Sequence, residues 1–269
     1  MQTLAFLTNH NKAPLVADSL ADSGFDVVTV DSFDTDRLGT FSREVSRTSS
    51  AHETALTKAR LATQLAGTRY GLGSEGSFGR DPYLGMLPWD NELLCWWDAH
   101  LGYAVYASQG GSDTNYAQRW VTSLADAQAF ATQAGFPDHA LIIGQAGDSI
   151  FCKAVQDPAQ LEQTVTAMLE KHDQVWLETD MRAHLNPRRQ ALIRRAANQL
   201  AMRLAISCPA CQAAGYSVQQ LQPGLACLAC DYPTSQTLNE HWLCGACGHT
   251  ETNTRTGFAE PQHCPQCNP

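Results

Sequence analysis

Eight of the ten cysteines fall after residue 207, as four Cys-x-x-Cys pairs: Cys208/Cys211, Cys227/Cys230, Cys244/Cys247 and Cys264/Cys267. A Cys-x-x-Cys turn delivers two thiolates to one side of a metal, and two such turns complete the tetrahedron that zinc prefers. Fifteen residues separate the first two pairs and sixteen the last two, which favours consecutive zinc ribbons, each closed by neighbouring pairs. Spacing leaves the interleaved alternative open, first pair with third and second with fourth. A redox role for one pair is the competing reading, since the motif also occurs in thioredoxin-like proteins. Four evenly used pairs in a region too short for a thioredoxin sheet argue against it. The expectation is two structural zinc ions, whose binding supplies folding energy that so small a region cannot draw from a core. His241, His249 and His263 lie near these thiols, but four cysteines per metal leave them no ligand position.

Composition changes at about residue 206, where long aliphatic runs give way to Cys, Gly, Pro, Gln and Thr. The boundary predicts an α/β domain over 1–206 and a tandem zinc-ribbon domain over 207–269, with four cysteines to each metal. In the first, QTLAFLT and FDVVTVDS read as strands around a helix that stops near Gly24. Ser50-Ala51-His52-Glu53 is a capping box opening a helix to about Ala66, with Ala55, Ala59, Ala62 and Ala66 on one narrow stripe. Strand-like runs follow at about 70–74, 92–98 and 103–108. Ser123 to Asp126 caps a helix ending at Gly135, ALIIG and SIFCKAV pair as strands, and Asp157-Pro158 opens another helix. A last strand, QVWLETD, precedes a last helix, NPRRQALIRRAANQLAMRLA. Hairpins and crossover helices together predict a mixed central sheet with flanking helices. Cys95, Cys152 and the tryptophans Trp89, Trp96 and Trp97 sit in strand-like runs and read first as core.

The formal net charge of −9 argues against a nucleic-acid surface covering the molecule. From Ser207 onward Arg255 stands alone against Asp231, Glu240, Glu251 and Glu260, and each zinc centre with four thiolates adds negative charge. The tail therefore suits protein contact or structural support rather than phosphate tracking. No apolar run approaches the ~20 residues that span a bilayer, and MQTLAFLTNHNK has no basic n-region. These features lead us to expect a cytoplasmic protein, and a homodimer is compatible with them.

Two short stretches carry candidate chemistry. In LTNHNK, a strand, a polar loop and a helix start present helix N–H groups to an anion, with Asn9 placed for oxygens and Lys12 as a point charge. The simpler reading is a capping asparagine and a solvated lysine. In GLGSEGSFG, Glu75 lies among glycines, which let a backbone approach a ligand. A surface turn is again the plain alternative. Late in the chain, Arg188 and Arg189 occupy the first turn of the last helix, where positive charge opposes the helix dipole unless an anion binds. Arg182 and His184 lie just before it, and Asp180 could orient one of them.

TNHNK, ETALTKA at 53–59, GLGSEGS and the following ELLCWWDAHLGYAV resemble, in order and approximate spacing, motifs of the inosine/xanthosine triphosphate pyrophosphatase superfamily, especially its non-canonical purine phosphatase branch. The full chain is also similar to a bacterial family that joins this domain to a cysteine-rich tail. The resemblance implies a metal-dependent hydrolase of nucleoside triphosphates. Asn9, Lys12, Arg182, His184, Arg188 and Arg189 would contact substrate, and Lys12 would join Glu75 and Glu44 as a catalytic residue. Glu75, with Glu44 from FSREVSR, would hold Mg2+, since carboxylates bind such hard cations. Glu53 also matches a family position, but its capping box explains it. The reading weighed against this is a catalytically inactive nucleotide-binding adaptor that uses its ribbons to contact a partner protein.

Overall fold

The computed structural model describes residues 1–33, 50–145 and 151–269. The chain opens with three parallel strands. β1 (Gln2–Leu7) pairs with β2 (Phe25–Val30) on one side and with β3 (Tyr70–Arg80) on the other. β4 (Pro88–Asp98) and β5 (Tyr103–Gly111) continue the sheet as antiparallel hairpins, giving the order β2-β1-β3-β4-β5. The expected mixed sheet with flanking helices is present. α1 (Ala13–Ala21) and α5 (Pro187–Leu204) cover one face, and α2 (Ala51–Ala66) covers the other. α2 begins at the capping box: Ser50 Oγ accepts from Glu53 N–H while the Glu53 carboxylate accepts from Ser50 N–H.

Alternation along β3 decides what each face can do. Leu72 points into the principal core with Leu4, Phe6, Trp96 and the α5 residues Ile193 and Leu200. Gly71 and Gly73 point the other way, against α2. A Cβ added to Gly71 would lie 2.0 Å from the Ala59 carbonyl oxygen, and one added to Gly73 would lie 2.0 Å from that of Ala55. The alanine stripe and these two glycines are therefore one feature, a helix seated directly on strand backbone. Trp96 lies in the core, Trp97 faces Arg60, and Trp89 meets Tyr83 at the sheet rim. Gly73→Ala must push α2 off the sheet and is expected to cost at least the ~1–3 kcal/mol of core overpacking. Urea unfolding measures this, and an unchanged midpoint would contradict the contact.

A second, four-stranded antiparallel sheet, which sequence patterns do not separate from the first, follows. It comprises β6 (Gln118–Val121), β7 (Leu141–Gly144), β8 (Phe151–Val155) and β9 (Val175–Thr179) in the order β6-β9-β7-β8. α3 (Leu124–Ala134) and α4 (Pro158–Leu169) close its own core around Leu141, Ile143 and Leu177. The connection from β9 to α5 returns the chain to the first sheet. There buried Asn186 caps α5 by accepting from Arg189 N–H, and its amide donates to Asn115.

The tail forms a third sheet, β10 (Ser217–Pro223), β11 (Thr237–Leu243) and β12 (Thr250–Thr254), antiparallel throughout. This sheet overturns the expected pairing of the cysteines. Cys208, Cys211, Cys244 and Cys247 form one tetrad, and Cys227, Cys230, Cys264 and Cys267 form the other. The interleaving follows from strand length. β10 has seven residues and spans about 20 Å, so the pairs before and after it lie at opposite ends of the sheet. β11 runs back and β12 runs out again, bringing the third pair to the first and the fourth to the second. The ribbons are interleaved, not consecutive.

Candidate functional site

The cysteine tetrads have the dimensions of metal sites. In the first, Cys208 and Cys247 sulfurs are 3.9 Å apart and those of Cys211 and Cys244 are 3.7 Å apart. In the second, the corresponding separations are 3.9 Å for Cys227 with Cys267 and 3.6 Å for Cys230 with Cys264. Four sulfurs at ~2.3 Å from a tetrahedral zinc would be separated by about 3.8 Å. Each tetrad can hold one such ion. The first is also part of the main core. Cys208, Cys244 and Tyr216 pack with Tyr103 and Leu204, and Tyr103 Oη donates to the Ala214 carbonyl. Gly215 (φ +85) sits so close to Val105 that a Cβ would lie 2.3 Å from it. The second tetrad lies at the far end of the tail sheet.

The other candidate site forms where the first sheet changes direction. From β1 the chain crosses to β2 on one side and then to β3 on the other, so α1 and α2 lie on opposite faces. In open α/β sheets such a switch point leaves a crevice at the carboxyl ends of the strands. Here that position is flanked by the loop from Thr8 to Lys12 and by Ser74 of β3, which Lys12 joins. Lys12 ends this loop as the N-cap of α1. It is buried, and its Nζ donates to Ser74 Oγ at 3.0 Å.

Alternation then separates the carboxylates. Glu75 is buried on the α2 side and forms an ion pair with Lys58 of that helix. Glu92 is buried on the α5 side, where Arg189 Nε donates to its Oε1 at 2.5 Å. Arg189 also donates to the Met181 carbonyl oxygen and lies 5.0 Å from the Phe78 ring centroid. A Cβ at Gly76 would intrude on both members of the Arg189–Glu92 pair, at 2.6 Å from each. Asp90, two residues before Glu92, is also buried.

The third wall comes from the segment between β9 and α5. Asp180 is buried, accepts from Arg182 N–H and pairs with the Arg182 guanidinium through both carboxylate oxygens. His184 stacks on His10 with ring centroids 5.7 Å apart. The loop after β1 and the segment before α5 therefore meet across the crevice.

Burial crowds cations together here, and their protonation reflects it. Desolvation first, then Arg189, pushes the Lys12 ammonium down to about 7. Burial and the neighbouring Lys12 and Arg189 push the His10 imidazole down to about 4, and His184 is lowered by burial and Arg182. Asp90 moves the other way, up to about 7, through burial and the charge of Glu92. A lysine whose folded-state pKa lies below its unfolded value of about 10.4 destabilises the fold fully below the folded pKa, and the penalty fades as pH rises to the unfolded one. Between about pH 7 and pH 10 the unfolded chain binds more protons at this residue, so stability rises with pH. Lys12→Met is expected to flatten that rise, read as urea midpoints across the window. A parallel offset at every pH would show that Lys12 is not the titrating group.

Of the residues singled out from sequence, Lys12, Arg182, His184 and Arg189 gather on the α1/α5 side, while Glu75 lies on the α2 side of the sheet, near enough for its charge to act on Lys12, and Asn9 is exposed on its loop. Arg188 lies 3.9 Å from Asp113 instead, near the surface. Glu44 falls outside the described residues. Asp90, Glu92, Lys58 and Ser74 carried no individual signal, although Lys58, Ser74 and Glu92 lie within the ETALTKA, GLGSEGS and ELLCWWDAHLGYAV stretches. Among the described residues, no helix is long and apolar enough to cross a membrane.

A family model described as a domain of unknown function, DUF6671, matches residues 58–269, which include β3, the crevice residues after it and both cysteine tetrads. No curated protein matches the chain.

Proposed function

The chain belongs to the DUF6671 family, and we propose that it is a metal-dependent hydrolase of nucleoside triphosphates, with non-canonical purine nucleotides the first substrates to test. The observation that carries this reading is the convergence at the β1/β3 switch point. Lys12 and the N-terminus of α1 meet Arg182, His184 and Arg189 in one crevice. A polyphosphate there would meet several cationic groups at a helix N-terminus. Its charge would favour protonated Lys12 and offset the mutual repulsion that lowers His10 and Lys12. Asp180 holds Arg182 through two oxygens, which fixes the guanidinium that would orient a phosphate.

A divalent cation, when bound, would neutralise phosphate oxygens and orient the attacking water. Buried carboxylates near the crevice suit such a hard ion. Glu75 is the ligand read from sequence, with Lys58 beside it to position its carboxylate. Zinc in the two tetrads would be structural.

The test is turnover of a nucleotide panel by zinc-loaded protein with Mg2+, scored for phosphate and pyrophosphate. Glu75→Gln is expected to lower turnover by at least ~100-fold, an effect of about 3 kcal/mol on the barrier. A folded, zinc-loaded chain that turns over no nucleotide would defeat the proposal. A second reading, a nucleotide-binding adaptor without catalysis, draws on one feature. Glu75 with Lys58 and Glu92 with Arg189 are already paired, as in a structural network. The acidic tail, with Leu228 and Phe258 exposed, would then contact a partner protein. Tight nucleotide binding without hydrolysis would select this alternative.

A further inference from the structure

β4 carries two acids to which the sequence assigned no role, although Glu92 opens the ELLCWWDAHLGYAV stretch. Asp90 and Glu92 are two residues apart on one strand, so both face α5. They are 1% and 0% exposed. Arg189 takes one oxygen of Glu92, but among the described residues Glu92 Oε2 and Asp90 Oδ1 have no hydrogen-bond partner. A buried polar atom without a partner costs about 1–3 kcal/mol, and more when charged. Two such oxygens within one cluster point to a missing partner that both could share.

The chemistry of that partner is restricted. The unmatched atoms are carboxylate oxygens, which accept and do not donate when ionised. The charged groups acting on Asp90 are Glu92, Arg189, Lys12 and Arg195, with no thiol or imidazole among them, so a bound cation would have to displace or share the carboxylates' attraction for these three cations. Oxygen-only donors select a hard divalent cation over zinc, for which the tail offers thiolates. We propose that Asp90 and Glu92 bind one divalent cation of the Mg2+/Mn2+ class, through Asp90 Oδ1 and Glu92 Oε2, with water completing the coordination. The site lies on the face of the sheet opposite the Glu75–Lys58 pair. It goes beyond the hydrolase reading, because cation binding here requires no nucleotide and does not depend on Glu75.

Mn2+ tests it directly, using the full chain with its tetrads loaded with zinc and no nucleotide present. Glu75→Gln serves as the background, so that the other candidate ligand is removed, and electron paramagnetic resonance of free Mn2+ is expected to report one bound ion per chain. Asp90→Asn added to it should weaken that binding at least tenfold. Glu92→Gln, which keeps an oxygen for Arg189, is the second variant should Asp90→Asn fail to fold, and it should show the same loss. Absence of bound Mn2+ in the Glu75→Gln background overturns the proposal and assigns the two oxygens to a shared proton or a buried water. Equal binding in that background and in either folded β4 variant overturns it as well. Loss of hydrolysis in Glu75→Gln with Mn2+ binding intact would separate the two readings.

Discussion

A chain carrying both Cys208→Ser and Cys244→Ser is expected to retain one zinc ion, whereas one carrying both Cys208→Ser and Cys227→Ser is expected to lose two. The interleaved tetrads make the first pair of substitutions remove two ligands from a single site and the second pair remove one from each. Consecutive ribbons would give the reverse result, two ions lost and one retained. Metal content by mass spectrometry therefore separates the two arrangements. The stability consequences also differ between the ends of the tail. Zinc binding to small zinc peptides is worth ~10–16 kcal/mol, and it is coupled to folding. The Cys208 tetrad shares its core with Tyr103 and Leu204, so losing its ion should loosen the first domain too. Cys227→Ser/Cys264→Ser should empty the far tetrad and leave the melting of β1–β5 and α5 nearly unchanged. Equal loss of the main transition from either end would contradict the shared core.

Arg189→Met is expected to destabilise the chain by about 3–5 kcal/mol, the usual cost of leaving one member of a buried ion pair without its partner. Arg189 is 3% exposed and Glu92 0%, so solvent screens neither charge. The loss would strand Glu92 beside Asp90, whose carboxyl burial and Glu92 already push up to about 7. It would also remove the donor to the Met181 carbonyl and the cation facing Phe78. Replacing both members, Arg189→Met with Glu92→Met, should recover much of the stability, since a packed apolar pair can substitute for a buried salt bridge. Chemical denaturation of the three variants measures the coupling. A double variant as unstable as Arg189→Met would show that the guanidinium acts chiefly through its other contacts.

What the sequence made legible was local chemistry with a short range. Ser50 and Glu53 declare the start of α2 within four residues, and Gly135 ends α3 in the left-handed conformation that glycine favours. The cysteine pairs declare a metal region in the same way. Their pairing did not emerge because β10, SVQQLQP, has almost no apolar alternation. Its sheet lies between the two cysteine tetrads and has little apolar core of its own, so the usual strand signal is missing. The glycines around Glu75 show the complementary limit. Gly71 and Gly73 suggested close approach of a ligand, but what approaches is the backbone of α2 at Ala55 and Ala59. Both halves of that contact were visible separately, and only the fold joins them.

The crevice divides along the same line. Lys12 and Arg182 stood out because polar residues cluster beside a predicted strand end or helix start. Asp90 and Glu92 did not: Glu92 opens the ELLCWWDAHLGYAV stretch, but nothing local shows that its face of the strand is buried. Burial of that face depends on α5, about a hundred residues later. Arg189 read as a helix-start cation awaiting an anion, and the fold gives it Glu92 from β4. Such partners are set by topology and leave no mark in the local sequence.

The crevice itself is most directly tested by equilibrium binding of a non-hydrolysable nucleoside triphosphate with Mg2+ to the zinc-loaded chain. Wild type should bind one molecule, and Lys12→Met and Arg182→Met should each weaken it by at least tenfold, about 1.4 kcal/mol. A folded wild-type chain that binds no triphosphate, or binds it equally after both substitutions, would contradict the account.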